Sequence, residues 1–313
     1  MSYTDSWSID RLAPKFYNDV MTGPKPSYQN MERFFIRLKA GKNMSLTAAL
    51  QLHLHVSATE AQQLISQGSV WDGERKVRLK DENMIITSQL LRVDRPKFII
   101  HENELLLEDI KYEDRDLLIV FKRGGVAVQP TPTSDIDCLL HGVQQYYNRQ
   151  GMAYRAAPIN RLDLPAQGLV FFAKNKPIEI ALHLMFQERK VRKRYLAATP
   201  AFTSVKSAYI IRSSMAWQGR VKEALTYVRF CREKDGLFYF LVFPQTGRTH
   251  QIRRHFQEWL VPLSGDHLYG NYSGQAELGL ICFYYSFRHP VSAKKTKVSF
   301  LPPHWRQALD LPE

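Results

Sequence analysis

The chain has 313 residues, of which 44% are hydrophobic and 23% are charged, and its 16 glycines and 16 prolines exclude low-complexity and collagen-like chains. Its 43 Lys and Arg against 30 Asp and Glu give a net charge of +13, which favours a polyanionic partner, either nucleic acid or an anionic membrane surface. A basic but otherwise ordinary soluble enzyme is the alternative, and the length predicts two domains.

The N-terminal segment and the cysteines indicate in which cellular compartment the protein is expected. Residues 1–30, with three prolines and one glycine, predict an irregular arm, and no basic region followed by an apolar stretch indicates a signal peptide. The isolated Cys138, Cys231 and Cys282 are typical of reduced core residues rather than of a disulfide or metal site. The longest apolar run, Leu278–Tyr285, is too short to span a bilayer. We therefore expect a cytoplasmic protein without a structural metal.

Residues 31–95 predict a small module. Its apolar spacing indicates two helices, then a short strand between two turns, then an alternating strand, at Ser45–Leu54, Ala58–Ser66, Gln67–Gly73 and Val77–Ile86. Ser57 or Thr59 is the expected cap of the second helix. The stretch Leu64–Gly73 resembles the S4 RNA-binding module, although Asp72 stands where that family usually has Asn.

Residues 96–313 predict a larger second domain. Apolar runs and alternation indicate strands at Asp116–Phe121, Leu169–Ala173, 194–199, 207–212, 223–231, 237–243 and Val298–Leu301. Helical spacing indicates helices at Asp135–Gln150, with Asp135 as cap, at Pro177–Arg189 and at Arg248–Trp259. Because strands mostly follow strands, the pattern favours an α+β domain with a mixed, largely antiparallel sheet.

The positive charge is concentrated in this second domain. Residues 1–95 hold 13 basic and 10 acidic side chains, whereas 96–313 hold 30 and 20. Within the second domain the basic residues cluster at Glu188–Arg194 and at Arg248–Arg254. A solvated basic surface is the alternative to a role in binding.

Two polar segments lie beside apolar strands. In Asn160–Leu164, which precedes the strand at 169–173, Arg161 and Asp163 project to one side of an extended chain. The second segment is Thr246–His255. A buried carboxylate needs a cation or several donors to stay ionised, and Arg248 or Arg253 in this segment could supply one. Surface pairs and caps are the alternative for any one of these residues. No glycine-rich phosphate loop, HExxH or GxSxG motif is present, so no cofactor and no metal are expected.

Six motifs in order resemble those of the RluA-type RNA pseudouridine synthases. They are Tyr112–Lys122, Arg161-Leu162-Asp163 with Gly168-Leu169, Val191–Ala197, Thr246–Arg253, Pro262–Asp266 with Tyr269-Gly270, and His289-Pro290. The resemblance covers about residues 105–305 and implies the catalytic fold of that family. It also implies the conversion of uridine into pseudouridine in structured RNA, without a cofactor.

The resemblance implies a role for several residues. Asp163 matches the catalytic aspartate, Arg253 the arginine that pairs with it, and Tyr195 the tyrosine that lies against the flipped base. Leu263 would close the apolar side of the pocket, and Arg161 would fill the stack that the base leaves. Basic side chains that would follow the phosphates are Lys190, Arg192, Lys193, Arg194 and Arg248.

The chain departs from the family pattern close to Asp163. Asn160 replaces a histidine and Ala166-Gln167 replace Thr-Ser, while Arg123 and Gln129 replace a proline and a histidine farther away. These departures motivate a second hypothesis, a non-catalytic RNA-binding or ribosome-assembly protein on a synthase scaffold. A third, a glycosidase that releases uracil, would need a second carboxylate. Asp266 is the candidate, and it is interpreted as a turn residue.

The expected partner is RNA, ribosomal before transfer RNA, because an S4-like module in this family tends to accompany ribosomal substrates. No DNA, no membrane and no partner chain are expected, which makes a monomer the default. The predicted domains are an arm at 1–30, an S4-like module at 31–95 and a synthase domain at 96–313.

Overall fold

The computed structural model describes residues 31–37, 45–77, 90–96, 102–200, 206–217, 220–270 and 277–312. The predicted arm and most of the strand predicted at Val77–Ile86 lie outside these ranges. The described residues form two compact units. The first holds those up to Asn103 together with Gln129–His141, and the second holds Glu104–Val128 and those from Gly142 onward. Gln129–His141, which the predicted division puts in the second domain, thus belongs to the first unit by its contacts.

The first unit contains two helices and a short antiparallel sheet. Its elements are β1 (Met31–Arg37), α1 (Leu46–Leu54), α2 (Ala58–Ser66), β2 (Val70–Asp72), β3 (Arg75–Lys76) and β4 (Leu90–Pro96). The strands lie in the order β1-β4-β2-β3. Both predicted helices are confirmed, and Ser57 caps α2: its hydroxyl accepts from the Glu60 N–H (3.2 Å) while the Glu60 carboxylate accepts from the Ser57 N–H (2.9 Å). The likeness to the S4 module stays a prediction.

The second unit is built on a ten-stranded sheet. Its strands are β5 (Ile110–Glu113), β6 (Leu117–Lys122), β7 (Ala157–Pro158), β8 (Gln167–Ala173), β9 (Arg192–Pro200), β10 (Ala208–Trp217), β11 (Arg220–Lys234), β12 (Leu237–Pro244), β13 (Leu280–Arg288) and β14 (Lys295–Ser299). The main path is β10-β11-β12-β9-β13-β8-β6-β5, with β14 on β13 and β7 on β8. Every pairing is antiparallel except β8 with β13. This confirms the α+β class and the mixed, largely antiparallel sheet.

The centre of this sheet was not predicted as a strand. β13 lies between β8 and β9 and begins inside the apolar run Leu278–Tyr285, which is too short to span a bilayer and was not assigned to any element. Leu280, Ile281 and Cys282 are all buried, so the segment lacks the alternation that identifies a half-exposed strand. The last strand lies at Lys295–Ser299 rather than at Val298–Leu301.

The second unit has helices α4 (Lys176–Gln187), α5 (Gln251–Trp259) and α6 (Pro303–Ala308), and α3 (Leu139–Arg149) runs across the division between the units. The prediction that Asp135 caps α3 is wrong, because the Asp135 carboxylate binds Lys76 Nζ (2.7 Å) and the helix begins at Leu139. α5 begins three residues later than predicted, since His250 takes a left-handed conformation with φ 53°. No described helix is long and apolar enough to cross a membrane.

Candidate active site

The loop that carries Asp163 connects β7 to β8 and is fastened by Asn160. The Asn160 side-chain carbonyl accepts from the Phe171 N–H (2.9 Å), and its amide donates to the Tyr285 hydroxyl (3.0 Å). The Ala166 N–H donates to the Asp163 carbonyl (3.0 Å) and closes a turn. Asn160, where the family has histidine, therefore ties the start of the loop to β8 and β13.

The other departure beside Asp163 fits a buried environment. Ala166 is 2% exposed within an apolar cluster, and the neighbouring Gln167 is 6% exposed, where its amide donates to the Glu277 carboxylate (2.6 Å). Two hydroxyls are missing here relative to the family, yet each replacement side chain is packed or hydrogen-bonded. The loop is therefore supported by a different set of contacts.

A buried lysine, which the sequence analysis matched to a family motif without assigning it a role, supports the same loop. Lys122 is fully buried, and its ammonium donates to the backbone carbonyls of Arg123 (2.9 Å), Val126 (2.8 Å) and Leu164 (3.1 Å). Burial lowers the pKa of Lys122 to about 7, against the opposing effect of Asp163. Leu164 directly follows Asp163, so Lys122 fixes the backbone next to that carboxylate.

Arg253 joins two carboxylates. Its Nε and Nη2 donate to Asp266 at 2.8 and 2.7 Å, while its Nη1 lies 3.4 Å from Asp163 Oδ2. The predicted pairing with Asp163 is thus present, but the two-point partner is Asp266. Asp266 also accepts from the N–H groups of Leu268 and Tyr269, as a turn residue does. Burial raises the pKa of Asp266, but its hydrogen bonds and the charge of Arg253 outweigh that effect and lower it.

His250 and Tyr269 complete the polar surroundings of Asp163. His250 Nδ1 lies 3.0 Å from the Tyr269 hydroxyl, and Nε2 lies 3.8 Å from Asp163 Oδ1. Burial lowers the pKa of His250 and outweighs the opposing charge of Asp163. Both residues lie within motifs that resemble those of the family, although no role is predicted for either from the sequence.

Tyr195 lies on β9 beside Cys282 and Tyr285 of β13. Burial raises the pKa of Tyr195 well above its ordinary value, so its phenol stays neutral. Cys282 is fully buried, and burial raises its pKa to about 11, which makes it an inert thiol. Leu263 differs from its prediction: it is fully buried in the apolar core with Ile252 and does not line the cavity described next.

A cavity of about 120 Å³ lies between these elements. Six of the predicted site residues line it, namely Arg161, Asp163, Lys193, Tyr195, Arg248 and Arg253. Its apolar lining comes from Leu162, Ala166, Ile252 and Leu280 rather than from Leu263. Pockets for drug-sized ligands start at roughly 300 Å³, so this cavity suits a single flat ring.

A wider cavity of about 820 Å³ shares part of this lining. It is bordered by the basic residues Arg161, Arg189, Arg192, Lys193, Arg194 and Arg248. The Arg194 guanidinium lies 4.6 Å from the ring of Tyr284. Lys190 is not part of the lining, and its exposed ammonium pairs with Glu188 (2.6 Å). The structure therefore brings together the predicted basic residues other than Lys190.

Among the described residues, the one group with three potential metal ligands is Asp114, Asp116 and His289. The Asp114 carboxylate already accepts from the Tyr112 hydroxyl (2.6 Å) and from the N–H groups of Asp116 and Leu117 (2.8 and 2.9 Å). His289 Nε2 lies 3.0 Å from Asp114. These contacts give the cluster a structural role between the β5–β6 turn and the end of β13.

The known proteins that match this chain are pseudouridine synthases. The model of the RNA pseudouridylate synthase family matches residues 116–258. A ribosomal large subunit pseudouridine synthase D from Neisseria meningitidis serogroup A is 29% identical over 266 residues, which cover 76% of this chain and 70% of the relative. A ribosomal large subunit pseudouridine synthase C from Rickettsia typhi is 32% identical over 181 residues, which cover 54% of this chain and 58% of the relative.

A solved structure of the same class is also similar to this chain. Human RNA pseudouridylate synthase domain containing 1 aligns with a TM-score of 0.52 at 25% identity, covering 64% of this chain and 85% of that one. Together with the fold and the family match, this makes the chain an RNA pseudouridine synthase, an isomerase. Within that class its motifs resemble those of the RluA-type family, and the names of its relatives agree with that resemblance.

Proposed function

We propose that this synthase isomerises uridines of large-subunit ribosomal RNA and that Asp163 is its catalytic carboxylate. The observation that carries this proposal is the setting of Asp163. Its side chain is 24% exposed and lines the small cavity, while Arg253 beneath it is 5% exposed and held by Asp266. A carboxylate that is open to a ring-sized cavity and faces a buried cation is equipped to react while ionised.

The chemistry needs one carboxylate and no cofactor. The N1–C1′ bond breaks, uracil turns, and a C1′–C5 bond forms, while C5 loses a proton and N1 gains one. Asp163 either bonds to C1′ as uracil leaves or takes the C2′ proton and later returns it. Both routes require an ionised carboxylate away from bulk water. Release of free uracil is disfavoured, because Asp266 is bound to Arg253 at two points and is not available to activate a water.

The cavity walls suit a base taken out of a helix. Tyr195 offers an apolar ring with a neutral hydroxyl, which can lie against a pyrimidine. Arg161 is exposed at the border of both cavities, where its planar guanidinium can replace the extruded base in the stack. The basic residues of the wider cavity would contact phosphates and orient the RNA.

The choice of ribosomal over transfer RNA is supported by the names of the relatives. The protein would act as a monomer on RNA, without DNA or a membrane as partner. A cytoplasmic location is supported by a ribosomal RNA substrate and by three cysteines that form no disulfide.

Replacing Asp163 by asparagine tests the proposal. Product formation on a large-subunit rRNA transcript should fall by at least about 10³-fold, because the amide can neither attack C1′ nor take a proton. RNA affinity should change by less than about threefold, since phosphate contacts dominate binding. The readouts are nucleoside mass analysis and RNA binding at fixed salt.

Asp235→Asn is the matched control, because Asp235 is exposed in the β11–β12 turn and loses the same charge. A D163N protein that still forms pseudouridine would overturn the assignment of the carboxylate. Modification of a tRNA transcript alone would overturn the ribosomal substrate.

Replacing Asn160 by alanine is expected to slow the reaction about tenfold with little change in RNA affinity. It removes the clamp on the Asp163 loop and leaves the Phe171 N–H and the Tyr285 hydroxyl without this partner. Single-turnover rates check this. Asn175→Ala is the control, because it removes the N-cap of α4 and lowers stability without touching either cavity. Equal rates for N160A and the wild type would contradict the clamp.

A further inference from the structure

We infer that His250, held by Tyr269, is a positioning residue for the Asp163 carboxylate. The inference rests on the proposed role of Asp163 and extends it to two residues without an assigned function. The carboxylate has two oxygens, and each faces a different group. Arg253 Nη1 lies 3.4 Å from Oδ2, and His250 Nε2 lies 3.8 Å from Oδ1. Arg253 and His250 thus determine together how the carboxylate is turned in the cavity.

The hydrogen bonds define the tautomer of His250. A neutral imidazole carries one N–H, and a bare nitrogen lone pair directed at an anionic oxygen would be repelled. Nε2 therefore carries the proton and faces Asp163, while Nδ1 accepts from the Tyr269 hydroxyl at 3.0 Å. At 3.8 Å the Nε2 contact is longer than a hydrogen bond, as is common for catalytic contacts before substrate binds.

Tyr269 is itself firmly held. Its N–H donates to the Asp266 carboxylate (3.1 Å), and the Arg253 guanidinium lies 5.1 Å from the centre of its ring. Its ring stands at 83° to that of His250 at a centroid distance of 5.7 Å. The hydroxyl that directs His250 is therefore fixed by the same ion pair that supports Asp163.

The backbone of His250 points to the same role. The residue lies in the left-handed region (φ 53°, ψ 24°) at the N-cap of α5, a conformation that is unfavourable for a residue with a side chain. The His250 side chain makes no capping hydrogen bond to the helix. The strained backbone instead puts the ring against the cavity that contains Asp163.

Five charged or titratable side chains face His250. They are Asp163 of the β7–β8 loop, Arg253 and Arg254 of α5, and Asp266 and Tyr269 of the segment that follows α5. Burial and the two arginines lower the pKa of His250, against the effect of the two carboxylates. The imidazole is therefore neutral at neutral pH and gains a proton only as the pH falls. An imidazolium would hold Asp163 Oδ1 more tightly and make the carboxylate a poorer nucleophile or base. The rate of isomerisation should therefore fall as His250 becomes protonated.

The test compares His250→Phe with His250→Gln. Phenylalanine keeps a ring but has no donor, so the single-turnover rate of H250F should fall about 10- to 100-fold. Losses of this size are typical when a residue that orients a functional side chain, such as a metal ligand, is removed. The glutamine keeps an amide N–H near the place of Nε2 and should recover most of the rate. Tyr269→Phe should slow the reaction less and add nothing to H250F, because both act through one contact.

The pH profile separates positioning from folding. The wild-type rate should fall as the pH drops through the lowered pKa of His250, and H250Q should lack that ionisation. RNA affinity and thermal unfolding are measured for each variant, with His183→Gln, an exposed histidine on α4, as the matched control. Wild-type rates and pH profiles for both His250 variants would overturn the inference while D163N still abolishes activity. An active D163N would instead overturn the proposed function.

Discussion

Replacing Arg253 by methionine is expected to abolish pseudouridine formation and to lower the free energy of unfolding by about 3–5 kcal/mol. The substitution leaves the fully buried Asp266 side chain with a charge and without its two-point partner, and removes the cation 3.4 Å from Asp163. Urea unfolding and single-turnover assays on the same preparation measure both effects.

The pH dependence of this loss has a definite sign. In the wild type the pKa of Asp266 is lowered, so the ion pair contributes stability above the ordinary carboxyl pKa and loses it as the pH falls through the lowered value. In R253M the Asp266 carboxyl has no such partner and is unfavourable when ionised. The stability gap should therefore be widest near neutral pH and shrink as the pH falls and Asp266 takes up a proton.

A double variant separates stability from catalysis. In R253M with Asp266→Asn, the amide oxygen still accepts from the N–H groups of Leu268 and Tyr269 but carries no charge. Most of the stability should return while activity stays absent. Recovery of activity in this variant would show that Arg253 serves the fold alone.

Gly168→Ala is expected to disrupt the fold severely. A Cβ at this position would lie 2.4 Å from the Cys282 carbonyl oxygen and 2.6 Å from the Cys282 nitrogen, and φ is +135°. Both obstacles are backbone atoms in the parallel pairing of β8 with β13, so no side chain can rotate away. We expect a loss of more than about 4 kcal/mol, seen as a protein that is largely unfolded or melts far below the wild type.

Gly236→Ala is the matched control for that substitution. Gly236 also has a positive φ, +73°, but a Cβ there meets nothing within 4 Å. Only the backbone strain remains, which costs about 1–2 kcal/mol. Similar melting temperatures for G168A and G236A would contradict the close packing of β8 against β13.

The sequence was most informative where local chemistry decides the structure. Ser57 is one of the two caps predicted for α2, and Asp163 and Arg253 fall in motifs that the fold brings together. It was least informative where distant segments meet. β13 is central because strands on both sides bury it, and that burial removes the alternating pattern by which a strand is recognised.

The same limit applies inside the active site. Asp266 matches a turn signal in the sequence, and its second role toward Arg253 depends on α5 lying beside the 261–270 segment. The Asp135 prediction failed for a related reason, because a lysine distant in sequence, Lys76, binds the carboxylate that could have capped a helix. Leu263 likewise packs one layer behind the cavity, which no local pattern distinguishes from lining it.

The most direct measurement of the central claim is a map of pseudouridines in ribosomal and transfer RNA from cells with and without this gene. Deletion should remove one or more defined sites from large-subunit rRNA, and the wild-type gene should restore them. The Asp163→Asn gene, expressed to the same level, should restore none. An unchanged map after deletion, or sites restored by D163N, would contradict the account of this protein as an rRNA pseudouridine synthase that reacts through Asp163.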